Sequence, residues 1–467
     1  MKLLYTTMYS ALLMGAIGLN ATAQQQLPNS GFEDGWAACK PWTSDGKTTE
    51  IGENPANWCI SHVAGMYVFG KWNGSTSVGG KDTPGYNNSN YAVNIINSPN
   101  PVVSSQIVPG YITLGTTWST AKGAAADNKD GGSFGGIEFT SRPTGIEFMY
   151  KRSRGIEKPD EKSTVVAYLW KGHKTQAAVP GNIGLMSTTA KDMVDRDRCV
   201  LDMDMNGYQG GKVTPSSDFE LIGYINTEIT ENTEEWKKFS ANFTYDSDAT
   251  PEYLNVIIAA GDYFGGASVV GKNNSLTIDD VRVFYNYSGY LNIKMEPLGL
   301  IAENQDATIQ IVPTEDNKCT FTLPNFNLAS LGLNLGDIVV NNVTISEKDG
   351  EKCYEGSVDG LKLQPEGAAE DEYIVANVSL SGTTNNMKIA VDWLSDPDDP
   401  TAKTPIEVTF TKEPVDDTSG ITNITVDNLN APVEFYNLQG IRVNGDNLTP
   451  GIYVRRQGSA VSKILVK

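Results

Sequence analysis

The chain has little histidine, cysteine or basic charge. It holds only His62 and His173, so a metal centre built on imidazole is a poor fit. Its five Cys form no C-x-x-C pair, which argues against a thiolate zinc site. Thirty-six basic residues stand against 56 acidic ones, and the net charge is −20. Nucleic acid and anionic lipid surfaces are therefore poor partners.

Long apolar runs and helical periodicity are also missing. Beyond the N-terminus, no apolar run approaches the roughly 20 residues of a membrane-spanning helix, so we expect no membrane span. The chain has 46 Gly, 20 Tyr and 8 Trp with almost no 3.6-residue period, which predicts an all-β protein rich in turns. A length of 467 residues favours two or three domains.

Residues 1–23 have the pattern of a secretory signal peptide. Lys2 precedes an apolar run, and Ala21-Thr22-Ala23 forms a small-x-small cleavage site before Gln24. No Cys adjoins that site for a lipid anchor. The mature protein is therefore expected to be exported, to the cell surface, the periplasm or the medium.

An oxidising compartment would allow disulfides. Cys39–Cys59 and Cys319–Cys353 are plausible local disulfides, and in that scheme Cys199 has no disulfide partner. Sequence does not fix the connectivity, and reduced, buried thiols are an equally weighted alternative.

The stretch 275–285, SLTIDDVRVFY, is predicted to be a strand that closes the first domain. Leu276 and Ile278 share one face, whereas Val281 and later apolar residues share the other. This change of phase falls on Asp279–Asp280 and indicates a β-bulge.

Residues 24–287 read as short strands between turn-rich spacers, which predicts a jelly-roll-like β-sandwich. The predicted strands are 102–107, 136–139, 144–150, 164–170, 200–205, 220–225, 237–244 and 254–260, before the closing strand.

Residues 288–413 alternate apolar and polar residues more regularly than residues 24–287 do. This alternation is typical of antiparallel strands with one solvent-exposed face. The predicted strands are 289–295, 307–312, 318–323, 337–345, 352–358, 373–381, 386–393 and 404–411. Eight such strands can close into an antiparallel barrel that encloses its own side chains or one small ligand. Residues 414–430 are Pro-, Asp- and Thr-rich, which predicts a linker, and 431–467 form a small β tail.

Three segments carry family resemblances. Leu27–Trp36, SFGGIEFTSRPTGIEFMY at 133–150, Glu235–Phe239 and LTIDDVRVFY resemble the Bacteroidetes domain named "putative carbohydrate metabolism". TFTLPNF at 320–326 and LGDIVVNNV at 335–343 resemble a calycin-like β-barrel domain, whose members share no ligand to transfer. The N-L-Q-G, G-I-Y and KILVK motifs of 431–467 resemble the C-terminal sorting tail of type IX secretion, which implies secretion or envelope machinery as a partner. The alternative for the tail is a three-strand module that protects the barrel's end.

The early GFE and late DDV motifs also resemble carbohydrate-binding jelly rolls, many of which hold a structural calcium through an early Glu and a late Asp. That resemblance implies Glu33, Asp279 and Asp280 as calcium ligands. Counted from Ile278, Asp280 should point inward, where an unpaired charge would be costly and a cation would remove the cost. A cap from Ser30 or a backbone N–H is the alternative.

Aromatic residues crowd the first third of the chain, and exposed rings suit the apolar faces of sugars. Trp72 and Tyr86 flank the Gly- and Ser-rich loop 73–85, and with Trp118 they are the predicted carbohydrate-binding residues. Trp36 and Trp58 are expected in the core.

No catalytic residue emerges from the motifs. Gly131-Gly132-Ser133-Phe134-Gly135 matches G-x-S-x-G, but it lacks the strand–turn–helix context and is interpreted as a turn. Asp202–Gly207 matches half a calcium loop, but the twelfth position is Val213, so a strand is the preferred interpretation.

Three hypotheses about function remain. The first is a non-catalytic protein that binds polysaccharide or oligosaccharide in glycan use at the cell envelope. The second is a glycoside hydrolase with a carboxylate pair in 24–287, and the third is a carrier of a small apolar ligand in the barrel. Aromatic content, fold pattern, resemblance and export together favour the first.

Overall fold

The structure is a computed structural model of the chain. It describes residues 24–41, 49–68, 71–102, 104–105, 107–119, 131–172, 176–180, 190–195, 218–264, 270–295, 299–314, 317–328, 333–364, 373–394, 399, 401–415, 432–437, 442–457 and 460–466. The predicted signal peptide, Cys199, the 200–205 strand and nearly all of the linker lie outside these residues.

The described residues form strands and two short 3-10 turns, Tyr86–Asn88 and Gly445–Asn447. The strands of the N-terminal part are β1 Trp36–Ala38, β2 Glu53–Pro55, β3 Cys59–Ile60, β4 Met66–Val68, β5 Lys71–Asn73, β6 Gly79–Asp82, β7 Ala92–Ile96, β8 Ser98–Pro99, β9 Ile107–Val108, β10 Tyr111–Thr113, β11 Thr116–Ser119, β12 Gly131–Phe134, β13 Ile137–Glu138, β14 Gly145–Ser153, β15 Ser163–Lys171, β16 Gln176–Pro180, β17 Ala190–Asp195, β18 Glu220–Ile229, β19 Thr233–Asn242, β20 Thr244–Tyr245, β21 Tyr253–Ala259 and β22 Ser275–Met295. The later strands are β23 Gly299–Pro313, β24 Lys318–Leu323, β25 Asn327–Leu328, β26 Leu333–Asn334, β27 Ile338–Lys348, β28 Glu351–Leu363, β29 Ile374–Gly382, β30 Asn386–Leu394, β31 Lys403–Thr411, β32 Val433–Tyr436, β33 Arg442–Val443, β34 Gly451–Gln457 and β35 Ala460–Val466.

The backbone divides into two compact units. The first contains Met1–Asn286, Ile309–Leu323 and Val339–Lys352. The second contains Tyr287–Thr308, Pro324–Ile338 and Cys353–Lys467.

The N-terminal part is the predicted jelly-roll-like sandwich of two antiparallel sheets. One sheet has the order β20-β18-β15-β21-β10-β3, with β13 added on β21. In the other, β19, β14, β22, β7 and β6 lie side by side in that order. The alternating residues Val165, Ala167 and Leu169 of β15 are fully buried, as are Ile146 and Leu276 of the other sheet. Removing this apolar surface from water is the main force that holds such a sandwich together.

The opposite face of β15 is also covered, by an aromatic cluster. Tyr168 and Trp170 lie with their ring centroids 5.3 Å apart, and Trp170 stacks on Tyr253 at 5.3 Å. Tyr111 and Tyr263 meet edge to face at 5.1 Å. Burial on both faces explains why β15 reads as a continuous apolar run rather than an alternating strand.

The predicted barrel is confirmed. Eight strands follow one another in the order β22-β23-β24-β27-β28-β29-β30-β31, and β31 pairs back onto the C-terminal part of β22. Most of the alternating apolar residues of the barrel strands are buried; Phe321, Met387 and Phe410 are each 0% exposed. Trp393 is only half-buried. Side chains of the barrel strands thus supply a core of their own.

The described part of the tail forms a four-stranded sheet in the order β33-β32-β34-β35, one strand more than the predicted module. Leu438 to Gly440 of the N-L-Q-G motif lie outside the described residues. Among the residues that the structure describes, no helix has the length and apolarity needed to cross a membrane.

Candidate functional site

The predicted bulge lies in β22. Glu147 of β14 pairs with Arg282, but Met149 pairs with Asp279, so β22 carries an extra residue at this point. Asp280 takes a left-handed backbone conformation, with φ of 54°. The inward direction predicted for Asp280 is wrong: its carboxylate is part-exposed and pairs with Arg282 at 2.7 Å. The alternation from Ile278 fails because the bulge interrupts it one residue earlier.

Asp279 is the buried carboxylate of the pair, with 1% of its surface exposed. Its Oδ2 accepts hydrogen bonds from the Tyr86 N–H at 2.8 Å and the Ser89 hydroxyl at 2.9 Å. Its Oδ1 accepts from the Asp280 N–H at 2.7 Å. Burial raises the pKa of Asp279 to about 6, although these three donors favour the ionised form and lower it.

Asp279 and Glu33 together hold one loop, residues 83–91. The Glu33 carboxylate accepts from the Tyr91 N–H and from the Asn90 side-chain amide, both at 2.8 Å. A Cβ at Gly85 would lie 2.6 Å from Asp279 Oδ2, so this close approach requires glycine. The Val281 N–H donates to the Ser30 carbonyl at 2.8 Å, which brings the first and last segments of the sandwich side by side.

The donors around Glu33 and Asp279 are N–H and O–H groups rather than the oxygen ligands that calcium prefers. Among the described residues, no group of three or more acidic, His or Cys side chains is arranged to hold a metal ion. Hydrogen bonds thus satisfy the charge of Asp279. The geometry resembles a carboxylate capped by N–H and O–H donors, the alternative stated above, more than a calcium site. Binding of calcium itself stays a prediction.

Tyr86, a predicted binding residue, contacts two residues that the sequence did not single out. Its ring meets Trp236 of β19 edge to face, with centroids 5.9 Å apart. The Lys151 ammonium of β14 lies 4.7 Å from the Trp236 ring centroid, a cation–π contact. All three side chains are half-buried, so each keeps part of its surface in water.

Polar side chains adjoin this aromatic pair on the same outer face of the sheet. Thr277 of β22 pairs with Lys151 on one side and with Asn94 of β7 on the other. The Asn94 side-chain amide donates to the Thr277 hydroxyl at 2.9 Å. We call Tyr86, Trp236, Lys151, Thr277 and Asn94 the Tyr86–Trp236 surface.

A second aromatic pair lies at the other end of the 83–91 loop. Trp36 and Tyr91 meet edge to face at 6.3 Å, and the Lys81 ammonium lies 5.4 Å from one ring centroid and 5.7 Å from the other. Trp36 is half-buried, so the prediction that it fills the core is wrong. Trp58 is 2% exposed, which confirms the same prediction for that residue.

The backbones of the other predicted binding residues lie in short hairpins. Trp72 belongs to β5 and pairs with Tyr67 of β4, and Trp118 belongs to β11 and pairs with Gly132 of β12. Their side chains lie outside the described part of the structure, so their role stays a prediction.

Trp236 and Lys151 were missed because the strand signal around them is weak. Trp236 is flanked by two Glu and two Lys, and β19 has no buried residue. A large apolar side chain inside a charged strand is the signal that could have identified it.

Ser133 is not placed as a nucleophile, and its segment is strand β12 rather than a turn. Its hydroxyl is fully buried, 2.8 Å from the Thr113 hydroxyl, and accepts from the Asn255 amide at 3.0 Å. These contacts tie β12 to the sandwich and occupy the Ser133 hydroxyl.

The four described cysteines, Cys39, Cys59, Cys319 and Cys353, are free thiols in this structure. Burial raises the pKa of the Cys39 thiol to about 11, which makes it a poor nucleophile when reduced. The two predicted disulfides stay predictions.

One region of the chain matches a known protein family. Residues 283–413 match the calycin-like beta-barrel domain family. The calycin-like domain is thus the observed barrel, at the place where the sequence predicts it. No curated protein matches the chain.

Four solved structures match the chain, all at low similarity. A "putative glycoside hydrolase" from Bacteroides thetaiotaomicron is 14% identical over 45% of this chain and 57% of its own, with a TM-score of 0.27. A "putative glycoside hydrolase" from Bacteroides vulgatus is 13% identical over 44% of this chain and 76% of its own, with a TM-score of 0.29. A "putative outer membrane protein" from Bacteroides fragilis is 13% identical over 58% of this chain and 97% of its own, with a TM-score of 0.21. This chain spans little more than half of the first of these proteins.

Proposed function

We propose that this chain is an exported, non-catalytic protein that recognises a polysaccharide or oligosaccharide in glycan use at the cell envelope. The observation that carries the proposal is the Tyr86–Trp236 surface. Two part-exposed rings lie there beside the Lys151 ammonium and the Asn94 amide, whereas Thr277 is only 7% exposed and its hydroxyl already accepts from Asn94. Rings offer flat apolar contact to sugar C–H groups, and the polar neighbours can exchange hydrogen bonds with sugar hydroxyls.

Preorganisation supports the same function. Asp279 and Glu33 fix the 83–91 loop by four hydrogen bonds, two to each carboxylate. A ring that is already held in place loses little conformational entropy when a ligand binds. The carboxylates therefore act by positioning Tyr86 and Tyr91, not by touching the glycan.

A glycoside hydrolase remains the alternative, and it needs two carboxyl groups that reach the scissile bond. Asp279 has the raised pKa of a general acid, but it is 1% exposed and its oxygens already accept three donors. No described observation favours the hydrolase, so a hydrolysis readout belongs in the binding experiment. An apolar carrier is not favoured either, because Met387 and Phe410 are fully buried within the barrel strands.

The test is a glycan array with a hydrolysis readout on the purified chain, residues 24–467, followed by calorimetry on the best ligand. Trp236→Ala should weaken binding by about 1–3 kcal/mol, roughly 5- to 150-fold, by analogy with other stacking platforms. Tyr373→Ala is the matched control, because Tyr373 is 42% exposed and also lies under a lysine, 4.2 Å from Lys362 Nζ. Trp72→Ala and Trp118→Ala test the two residues predicted from sequence.

Equal losses in Trp236→Ala and Tyr373→Ala would show that the Tyr86–Trp236 surface is not the binding site. Release of reducing sugar by the wild-type chain would replace the non-catalytic proposal with the hydrolase.

A further inference from the structure

A groove of about 720 Å³ opens on the second unit, where the calycin-like domain begins. It is lined by Ser288, Gly289, Tyr290, Leu291, Gln305, Asp306, Ala307, Thr308, Pro324, Asn325, Asn327 and Lys412. These residues come from β22 and β23, from the segment that follows β24 and from the residue after β31. Strands β31, β22, β23 and β24 are neighbours in the ring. A volume of this size is typical of sites that hold a small organic ligand, about 300–1,000 Å³.

Within the part of the chain that the structure describes, several polar side chains of the groove have no side-chain partner. The structure records no side-chain hydrogen bond or ion pair for Gln305, Asp306, Asn327, Lys412 or the Tyr290 hydroxyl, counted over the described residues. The Asp306, Asn327 and Lys412 side chains are exposed, and Tyr290 is half-buried. Their donors and acceptors are therefore available to a ligand rather than used by the fold.

The chemistry of this lining selects a class of ligand. Amides and hydroxyls both donate and accept hydrogen bonds, which matches a ligand made of hydroxyl groups. Asp306 and Lys412 carry opposite charges, so the groove does not favour a polyanion such as a phosphorylated ligand. The Tyr290 ring adds one apolar surface of the kind that packs on a sugar ring.

We infer that this groove is a second glycan subsite, which binds a short neutral oligosaccharide. The inference rests on the proposed function and adds to it a site on the calycin-like domain. Asn327 and Gln305 exchange hydrogen bonds with ligand hydroxyls, Asp306 accepts from them, and Tyr290 packs on the ring. Two subsites on one chain raise the retention of a polysaccharide over that of either site alone, wherever one glycan chain reaches both.

The experiment is isothermal titration of the 24–467 chain with neutral glucose-, galactose-, mannose- and N-acetylglucosamine-containing oligosaccharides. The wild type should show two binding events. The double variant Asp306→Ala/Asn327→Ala should lose one event or weaken it by at least about tenfold, because two ligand contacts are removed. Lys388→Ala is the matched control, because Lys388 is an exposed residue of β30 that does not line the groove. Tyr290→Phe removes only the hydroxyl and should weaken the same event less.

Trp236→Ala separates this inference from the proposed function. If Trp236→Ala removes one event and the groove variant removes the other, both sites are established. If the groove variant binds like the wild type, the inference is overturned while the proposed function stands. If only the groove variant loses binding, the groove is the glycan site and the Tyr86–Trp236 surface is not. Melting curves of each variant show whether a loss of binding reflects a loss of folding. Hydrogen exchange at 305–308, measured with and without ligand, shows whether the ligand contacts the groove. If no oligosaccharide of the panel produces binding heat, both proposals are overturned.

Discussion

Asp279 is a carboxylate that is buried and yet has only neutral hydrogen-bond donors as its described partners. Its surface is 1% exposed, and the donors are N–H and O–H groups. Burying a charge in this way is costly, and each hydrogen bond to the charged form offsets part of that cost. The residue therefore stabilises the 83–91 loop while making the fold sensitive to pH.

The first prediction concerns this pH dependence. The folded pKa is raised from 3.8 to about 6, so the folded state binds the proton more tightly than the unfolded chain. The stabilisation is complete below about pH 4 and is lost as the pH rises to about 6, by up to about 3 kcal/mol. Measured by denaturant titration, the free energy of unfolding of the wild type should fall over this window relative to Asp279→Asn, which cannot ionise.

The matched control for that comparison is Asp248→Asn, since Asp248 is exposed. A constant difference between the wild type and Asp279→Asn from pH 4 to 7 would contradict the prediction. Asp279→Ala leaves the Tyr86 N–H without its acceptor and should lower stability by about 1–3 kcal/mol at neutral pH.

At the scale of elements, the bulge in β22 decides where both carboxylates go. The extra residue turns Asp280 outward to Arg282 and leaves Asp279 on the outer face, beneath the 83–91 loop. The loop then presents Tyr86 toward Trp236 at one end and Tyr91 toward Trp36 at the other. The bulge thus places Asp279 where it holds the Tyr86 end of the loop, while Glu33 holds the Tyr91 end.

The second prediction tests the loop together with the calcium hypothesis. Glu33→Gln keeps an oxygen for the Tyr91 N–H but sets an amide against the Asn90 amide, so we expect a lower melting temperature, equivalent to about 1 kcal/mol or less. The measurement is a thermal melt of the 24–467 chain and of Glu33→Gln, each with EDTA and with added calcium. We expect the difference between the proteins to be the same in both buffers.

A rise in melting temperature with calcium that occurs in the wild type and is absent from Glu33→Gln would instead establish the structural metal, because a ligand of the folded state stabilises it by mass action. Identical curves in all four samples would end the calcium hypothesis and would also show that the Asn90 contact contributes nothing measurable.

At the scale of the whole molecule, the chain consists of a sandwich, a calycin-like barrel and a small tail sheet. Its net charge of −20 repels other polyanions, so a neutral glycan suits the surface better than an acidic one. Both proposed subsites agree with this, since each combines aromatic and amide side chains with one ammonium, whose charge Asp306 offsets in the groove.

The third prediction concerns the boundaries drawn from sequence. Limited proteolysis of the 24–467 chain should cut first within 412–430, because that stretch is Pro-, Asp- and Thr-rich and has no strand alternation. Mass spectrometry of the first products should find a fragment that ends there and retains the barrel. First cuts inside 24–287 would place the weakest point of the chain elsewhere.

Alternation of side chains determined the barrel from the sequence alone. In β29, β30 and β31 every second residue is apolar, and each such strand appears within one residue of its predicted start. The period of two is a local property, since a strand with one wet face must repeat it. The bulge at Asp279–Asp280 could be found for the same reason, as a break in that local period.

Only the tertiary structure decided what those carboxylates do. Asp279 meets Tyr86 and Ser89, which lie more than 180 residues away in the chain, and no local pattern encodes such a contact. Trp236 and Lys151 come together because β14 and β19 pair, and the groove at Asp306 and Asn327 forms because separate strands of the ring meet there. The sequence determined which strands exist and which of their faces are buried. Strand pairing decided which side chains share a surface, because it depends on contacts between residues that are distant in the chain.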